Sequence, residues 1–407
     1  MSELYEPLRT FQIQCPARVI FGVGAVNQLG TEIKRLGVKN GLIVTDPGVP
    51  KAGLLEKAKG PLEKEGLKVD VYDKVEPEPP ITSIERLLNL AKESKYEYFI
   101  GLGGGSSMDT AKAVSVLLNN PGNPEEYFAG GKKEFSKPGV PCVTVPTTAG
   151  TGAEITWDSV VKDRQGIKAF FEHAYIRPNL AIVDPIMSST MPPRLTASTG
   201  IDALCHAVES TLTKVTNPFT RAVALESIRL ISRSLRTAVY QGNNIEARYN
   251  MALATTLEAY SEGNAGDIEA HAIGHLLGSF YKIPHGTACG LPLPYAMEHN
   301  IVIMPDRLKL IAEAMGEDTY GLTEKEAAYS GIHAVKKLIV DVGLPTTLLE
   351  ASKEYGIKKD DLPKLAKNMV TIPWIKVFFD FFTIRAMTED IALQLLTKMW
   401  DGNIGEA

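Results

Sequence analysis

The stretch GLGGGSSMDTAKAV, residues 101–114, combines the end of a predicted strand, a glycine-rich turn and the start of a predicted helix. Glycines let the backbone approach a phosphate closely, and the free amides at a helix N-terminus supply donors and a positive dipole end. The turn therefore predicts a pyrophosphate cradle at Gly104, Gly105 and Ser106. It matches neither the GxGxxG fingerprint nor a P-loop, and Ser106 with Asp109 also has the spacing of a helix capping box.

The same succession of strand, loop and helix is repeated through the first half of the chain. Short β-branched runs that lead into loops occupy residues 41–46, 68–73, 98–105 and 142–148. Helical apolar spacing between them occupies residues 53–65 and 84–95. This is the pattern of an open parallel sheet covered by helices.

The second half of the chain has a different period. Beyond residue 190 apolar residues recur about every 3.6 positions, as at residues 221–239, 246–260 and 324–340. A length of 407 residues also exceeds what one ordinary hydrophobic core accommodates. We therefore predict an α/β domain over residues 1–190 and an all-α domain over residues 191–407.

Polar side chains follow other predicted strands. Asp46 ends one strand, where a carboxylate accepts hydrogen bonds from a ribose diol and repels a 2′-phosphate, which favours NAD over NADP. Alternatively, Asp46 only starts a turn. The loop PTTAGTGAEIT, residues 146–156, leaves another strand, the usual place for ligand contacts in such sheets. Thr147 and Thr148 either hold the cofactor or close local turns, and Thr156 is a further cofactor candidate.

In the second half, the stretch HAIGHLLGSFYKIPHG begins at His271 and contains three of the seven histidines. A helix over residues 265–277 places His271 and His275 at positions i and i+4 on one face. Gly278 is expected to end this helix, and the chain then turns so that His285 comes back toward it.

A second pair of donors lies upstream, where Asp202 and His206 again stand at positions i and i+4. One helical histidine is more often packed or solvated than bound to a metal, but five such residues in two clusters favour a metal site. Nitrogen and oxygen donors without thiolate suit a divalent ion such as ferrous iron or zinc. Four ligands from separate helices are typical of a closed structural site, whereas imidazole-based donors leave an open position for substrate oxygen plausible.

Composition argues against several classes of function. With 44% hydrophobic residues, 22% charged residues and a net charge of -5, the chain has no electrostatic reason to bind nucleic acid or an anionic membrane. We find no signal peptide and no apolar run long enough to span a bilayer. The cysteines lack CxxC spacing, which favours a reduced cytoplasmic protein; they are Cys15, Cys142, Cys205 and Cys289.

Several motifs, in this order, resemble those of the iron-containing, or group III, alcohol dehydrogenases. They are FGVGAVNQLG, GGGSSMDTAK, PTTAGTGAE, PNLAIVDP, ATTLEAYSEGNAG and HAIGHLLGSFYKIPHG, and they run along nearly the whole chain. The resemblance implies the dehydroquinate synthase-like fold, with an N-terminal dinucleotide-binding domain, a C-terminal helical domain and an active site in the cleft between them. It also implies NAD, a divalent metal, with Fe²⁺ favoured over Zn²⁺ or Mn²⁺, and a homo-oligomer, either a dimer or a larger assembly.

Carried over motif by motif, the resemblance implies that the metal ligands are Asp202, His206, His271 and His285. It places His275 beside substrate and nicotinamide, and we expect this histidine to be catalytic by passing the alcohol proton outward. The implied chemistry is hydride transfer between an alcohol and nicotinamide, assisted by a Lewis-acid metal. Lys168, in the loop region after Asp163, resembles a cofactor-contacting lysine; an exposed, solvated lysine is the alternative.

The chain departs from the family's pattern at several positions. Four acids either select a polar, hydroxyl-rich or cationic substrate or point to solvent and cap helices: Asp158, Glu262, Asp267 and Glu269. Glu78 replaces the asparagine of the family's PNP motif, at one cofactor contact. The aromatic segment, residues 374–382, either covers the substrate entrance or packs against a partner subunit; its phenylalanines are Phe378, Phe379, Phe381 and Phe382.

We therefore expect a metal-dependent, NAD(H)-linked oxidoreductase that interconverts a small primary alcohol and its aldehyde. Two enzyme alternatives stay open: an NAD- and metal-using lyase resembling dehydroquinate synthase, and a polyol dehydrogenase of the glycerol type. The lyase needs a basic pocket for a phosphorylated, carboxylated substrate, and the four acids argue against one. A scaffold that keeps the fold without the chemistry is a further alternative, which the intact ligand set disfavours.

Overall fold

The computed structural model describes residues 10–14 and 17–405, so Cys15 lies outside the described residues. These residues form two compact units. The sheet unit consists of residues 17–191 and Asn243–Ala252, and the helical unit consists of residues 10–14, Pro192–Gly242 and 253–405.

The segment Asn243–Ala252 belongs to the sheet unit although it follows residue 190 in the chain. The buried guanidinium of Arg248 donates a hydrogen bond to the carbonyl of Met191 at 3.2 Å, and the ring of Tyr249 packs edge-on against Phe21. These contacts attach the first turns of a long helix to the sheet. A single boundary near residue 190 stays a prediction.

Eight strands occur in the described residues of the sheet unit. They are β1 (Arg18–Phe21), β2 (Asn40–Val44), β3 (Lys68–Tyr72), β4 (Tyr98–Gly103), β5 (Cys142–Pro146), β6 (Asp158–Lys162), β7 (Lys168–Glu172) and β8 (Leu180–Val183). Six of them form a parallel sheet in the order β1-β8-β5-β4-β2-β3, whereas β6 and β7 form an antiparallel pair. The predicted parallel α/β unit is confirmed.

Helices cover the parallel sheet, which explains why β4 and β5 are buried at every position and, apart from Tyr98 and Thr144, have no polar side chain. The helices are α1 (Leu29–Arg35), α2 (Gly48–Lys51), α3 (Leu54–Lys64), α4 (Ile81–Ser94) and α5 (Gly105–Asn119). The strands β1, β8, β6 and β7 were not predicted; in β6 and β7 charged residues stand at both ends of a five-residue run, which weakens the apolar signal. One consequence is a correction: Lys168 begins β7 and does not lie in a loop.

The chain after β8 contains helices and no strand among its described residues. The longer helices are α6 (Pro193–Leu212), α7 (Pro218–Tyr240), α8 (Ile245–Ala265), α9 (Glu269–Tyr281), α12 (Pro305–Met315), α13 (Glu324–Asp341), α15 (Leu362–Thr371) and α17 (Glu389–Asp401). The shorter ones are α10 (His285–Gly290), α11 (Leu293–Asn300), α14 (Leu348–Tyr355) and α16 (Pro373–Val377), and a π-helical turn, Phe378–Phe382, follows α16. The predicted helical second half is therefore confirmed.

The predicted helix over residues 265–277 is wrong at both ends. Helix α8 ends at Ala265, and Gly266 adopts a left-handed conformation with φ of +67° before α9 begins at Glu269. Gly278 does not end α9, since helix interiors tolerate glycine, and the helix continues to Tyr281. Within the described part of the chain, no helix has the length and apolar character needed to cross a membrane.

Candidate active site

Three helices of the helical unit bring the predicted metal ligands near one another, in two donor groups that share His271, and His285 is the one of the four that is partly exposed. Asp202 and His206 come from α6, His271 comes from α9, and His285 is the first residue of α10. The Asp202 Oδ1 atom lies 3.9 Å from His271 Nε2 and 3.7 Å from His285 Nε2. The rings of His206 and His271 stack with centroids 4.4 Å apart. The donor atoms of residues distant in sequence thus converge on one small volume.

Two glycines allow the three helices to approach closely enough for this convergence. A Cβ atom on Gly286 would lie 2.0 Å from the carbonyl oxygen of Ser198 on α6, and a Cβ atom on Gly274 would lie 2.5 Å from Cys289 Sγ on α10. Both distances are impossible for a real side chain. Glycine at these positions therefore sets the spacing of α6, α9 and α10.

A carboxylate that the sequence analysis missed holds the ring of His271. Glu209 Oε2 contacts His271 Nδ1, and the same carboxylate accepts hydrogen bonds from the backbone N–H groups of Ala270 at 2.6 Å and His271 at 3.1 Å. Burial raises the pKa of Glu209 to about 8, with a further contribution from Glu269. The available signal was helical spacing, since Glu209 follows His206 by three positions and so shares its face of α6.

A second carboxylate missed from sequence faces His206. Glu258 on α8 is 1% exposed, and its Oε2 atom lies 3.5 Å from His206 Nδ1. Burial alone would lower the pKa of His206, but Glu258, with Asp267, raises it well above its usual value. Glu258 lies within the motif ATTLEAYSEGNAG, but the spacing in the sequence does not indicate that its partner is His206.

The four acids singled out in the sequence do not share one role. Asp267 Oδ1 lies 3.7 Å from His271 Nδ1, and Glu269 accepts a hydrogen bond from Asn300 at 3.1 Å. Burial raises the pKa of Glu269 to about 7. Asp158 belongs to the sheet unit, where it stands opposite Glu172 in the β6–β7 pair.

A thiol, which the predicted donor set does not include, also lies beside the donors. Donor atoms of Asp202, His271, His285 and Cys289 all lie within 4.8 Å of one another, and those of His206, Asp267 and His271 form an overlapping group. The Cys289 Sγ atom is 3.6 Å from His285 Nδ1. The two residues stand at positions i and i+4 of α10, a spacing that the sequence already contains.

Aromatic side chains surround the predicted catalytic residue, His275. Its ring centroid is 5.1 Å from His285, 5.7 Å from Trp374 and 5.6 Å from Phe378. The π-helical turn also places the ring of Phe382 where a side chain on Gly266 would clash, at 2.5 Å. The aromatic segment therefore packs partly against its own α9, although Phe381 is 63% exposed.

In the sheet unit, the glycine-rich turn joins β4 to α5 as predicted. Gly104 is the N-cap of α5 and makes no side-chain capping bond, and Gly105 is the first helical residue. A Cβ atom on Gly104 would lie 3.4 Å from Thr148 Cγ2, and one on Gly105 would lie 3.2 Å from Thr151 Oγ1. The threonine-rich loop after β5 thus lies directly against this turn.

Two predicted cofactor residues beside the turn have well-defined partners. Asp46 Oδ1 accepts a hydrogen bond from the N–H of Gly48 at 2.7 Å, which is the predicted turn, while Oδ2 lies 3.1 Å from the position of a Cβ atom on Gly103. The hydroxyl of Ser106 accepts from the N–H of Glu78 at 3.1 Å. Ser106 is not the N-cap of α5, so it does not form the capping box considered from sequence.

The remaining cofactor candidates, Thr147, Thr156 and Lys168, each contact a different partner in the sheet unit. The Thr156 hydroxyl accepts from Lys112 Nζ at 3.3 Å, and Thr147 donates its backbone N–H to the carbonyl of Gly103 at 2.9 Å. Lys168 is 6% exposed, so the solvated alternative is wrong; its Nζ atom lies 3.2 Å from Glu78 Oε1. Glu78 also pairs with Lys162.

Carboxylate and imidazole donors that converge in a buried site fit a divalent cation. The distances from Asp202 Oδ1 to His271 Nε2 and to His285 Nε2, 3.9 and 3.7 Å, exceed hydrogen-bond lengths. The donor atoms of these three residues are still close enough to one another to share one ion. A glycine-rich turn at the carboxyl ends of parallel strands fits a dinucleotide. Together these features define a metal- and nucleotide-dependent enzyme.

Comparison with known proteins identifies its family. The model of the iron-containing alcohol dehydrogenases matches residues 16–185, and the model of the C-terminal part of the Fe-containing alcohol dehydrogenase family matches residues 196–399. The chain belongs to the iron-containing alcohol dehydrogenase family, as its motifs predicted. It is a metal-dependent, NAD-linked alcohol and aldehyde oxidoreductase.

Individual relatives cover nearly the whole chain. Long-chain-alcohol dehydrogenase 1 of Geobacillus thermodenitrificans is 39% identical over 87% of this chain and 90% of its own length. Choline dehydrogenase of Bacillus subtilis is 36% identical over 91% of each chain. A crystal structure of 1,3-propanediol oxidoreductase superposes with a TM-score of 0.90 at 34% identity, covering 96% of this chain and all of that one. The dehydroquinate synthase-like, iron-containing alcohol dehydrogenase fold is thereby confirmed.

Proposed function

We propose that the buried cluster of the helical unit is the catalytic metal site, with Asp202, His206, His271 and His285 as ligands. The convergence of Asp202, His271 and His285 donors within 4.8 Å is the observation that carries this proposal. A divalent ion held there supplies Lewis-acid polarisation of the oxygen of a small primary alcohol or of its aldehyde. Iron is the metal we favour, with zinc or manganese as alternatives, because the donors are mainly nitrogen and oxygen.

We propose that His275 is the catalytic residue that receives or returns the alcohol proton at a ring nitrogen. Its ring lies beside His285, so it borders the ligand cluster without belonging to either donor group. Trp374 and Phe378 flank the same ring and keep water from that side. A histidine that lies near the reacting oxygen and does not coordinate the metal can exchange a proton with it.

We propose that the glycine-rich turn binds NAD(H). The backbone amides of Gly104, Gly105 and Ser106 would hold the pyrophosphate. Further contacts from the adjoining loop and strand would come from Thr147, Thr148, Thr156 and Lys168. Asp46 stands beside Gly103, where its charge would repel a 2′-phosphate and so favour NAD over NADP. We further propose a homo-oligomer in the cytoplasm, and two domains that divide near residue 190.

The decisive experiment is a panel of short alcohols and aldehydes, tested with NADH and with NADPH. Metal-free protein is reloaded with Fe²⁺, Zn²⁺, Mn²⁺ or Co²⁺ before each assay. We expect steady oxidation of NADH with small aldehydes, a preference for NADH over NADPH, and highest activity with iron. Absence of turnover with every metal and every aldehyde, or NADPH as the better cofactor, would contradict the proposal.

A further inference from the structure

The two histidines that project from long helices of the candidate metal site share one arrangement. In each, the Nδ1 atom faces a buried carboxylate: Glu209 for His271, and Glu258, at 3.5 Å, for His206. The Nε2 atom of His271 faces the opposite way, toward Asp202 Oδ1 at 3.9 Å. The ring of His206 is stacked nearly parallel to that of His271, at an interplanar angle of 14°.

This arrangement has a known chemical purpose. A histidine that binds a metal through one ring nitrogen almost always donates the other N–H to a carboxylate, a carbonyl or water. The partner fixes the tautomer, orients the ring and makes the coordinating nitrogen more basic. A carboxylate that accepts the Nδ1–H hydrogen bond therefore leaves the lone pair of Nε2 available to coordinate the ion.

We propose that Glu258 is a positioning residue that orients His206 for metal binding, as Glu209 orients His271. The inference rests on the proposed metal site, and it gives a role to a residue of the motif ATTLEAYSEGNAG that the sequence analysis left without one. Glu258 lies on α8, six residues after the sheet unit's segment Asn243–Ala252 ends, so it belongs to the helical unit together with His206.

The same geometry bears on the acids that departed from the family's pattern. Asp267 contacts the Nδ1 side of His271, and Glu269 is bound to Asn300. Asp267 therefore lies beside a ligand histidine, and Glu269 is engaged through Oε2 by an amide of the protein. The contacts therefore favour an effect of Asp267 on the metal ligands over direct selection of a cationic substrate.

The test measures the affinity for Zn²⁺ by competition with a chromogenic chelator. We expect Glu258→Leu to weaken Zn²⁺ binding about 10- to 100-fold, the usual cost of losing an outer partner of a ligand histidine. Glu258→Gln keeps a hydrogen-bond acceptor, so its affinity for Zn²⁺ should fall less than that of Glu258→Leu. Glu246→Gln, an exposed acid on the same helix, serves as the matched control and should bind like the wild type.

A double-mutant cycle separates a role through His206 from general damage. In a His206→Ala background, Glu258→Leu should have little further effect on Zn²⁺ affinity, because the ring that Glu258 positions is absent. The absorption spectrum of Co²⁺-loaded protein should change in Glu258→Leu, and the melting temperature of metal-free protein reports whether the variant still folds. Zn²⁺ affinity equal to wild type in a folded Glu258→Leu, with an unchanged Co²⁺ spectrum, would overturn the inference.

The failure of the proposed metal site would look different. If His271→Ala also binds Zn²⁺ like the wild type, the site itself is misplaced. If His271→Ala loses Zn²⁺ binding while both Glu258 variants retain it, only the role of Glu258 is rejected. A changed ratio of kcat/KM for cationic over neutral alcohols, with unchanged Zn²⁺ affinity, would assign Glu258 to substrate selection instead.

Discussion

The two candidate sites of this protein differ in the groups that form them, side chains in one and the backbone in the other. The ligand cluster of the helical unit consists of charged and imidazole side chains that need buried partners, such as Glu209 and Glu258, to hold them. The glycine-rich turn of the sheet unit instead presents backbone amides, and its side chains are small or absent. A site of side chains depends on distant segments, whereas a site of backbone depends on its own local sequence.

The largest expected effect comes from removing a central side chain of the ligand cluster. His271→Ala should lower kcat/KM by roughly 10²- to 10³-fold, because metal-ion catalysis is worth several kcal/mol. The measurement is aldehyde reduction by NADH, together with the bound metal per chain. His333→Ala, at an exposed histidine on α13, is the matched control and should behave like the wild type. Full activity in His271→Ala would remove the contrast between the two sites.

The next effect tests whether the sheet unit also depends on a buried charge. Lys112, fully enclosed behind Thr156, pairs with Asp109 at 2.9 Å and donates to the carbonyl of Ala153. Lys112→Met should reduce the free energy of unfolding by about 3 kcal/mol, the lower end for a broken buried pair. The loss of stability is limited because burial raises the pKa of Asp109 to about 6. Without Lys112 the Asp109 carboxyl can take up a proton and become neutral.

Urea unfolding at neutral pH measures this loss, and Lys92→Met, at an exposed lysine on α4, is its control. An unfolding curve for Lys112→Met that coincides with that of Lys92→Met would show that the pair contributes nothing to stability. The sheet unit would then rely on backbone and apolar packing alone.

The smallest effect concerns the backbone site itself. Gly104→Val should raise KM for NADH about tenfold, since a branched side chain beside Thr148 displaces the phosphate from one charged hydrogen bond. The KM for the alcohol should change little. Gly60→Ala is the control, because a Cβ atom there meets nothing within 4 Å. An unchanged KM for NADH in Gly104→Val would place the dinucleotide elsewhere.

Much of the fold was predictable from the sequence because its signals are local. The strands β2 to β5 and the turn at Gly104 follow from short apolar runs and glycines, and the second half follows from a 3.6-residue period. The strands β1 and β7 were not predicted, and for this reason Lys168, the first residue of β7, was expected in a loop. It also failed at Gly278, where helix α9 continues through a residue that often ends helices.

By itself, the sequence determined the secondary structure of the central strands, the glycine-rich turn and the types of donor on α6 and α9, because these depend on neighbours a few positions apart. Only the tertiary structure decided that Glu258 faces His206, that Cys289 joins the donors and that Glu78 pairs with Lys168. Each of these contacts joins side chains from separate segments. Burial makes such pairs strong, but only packing decides which groups meet.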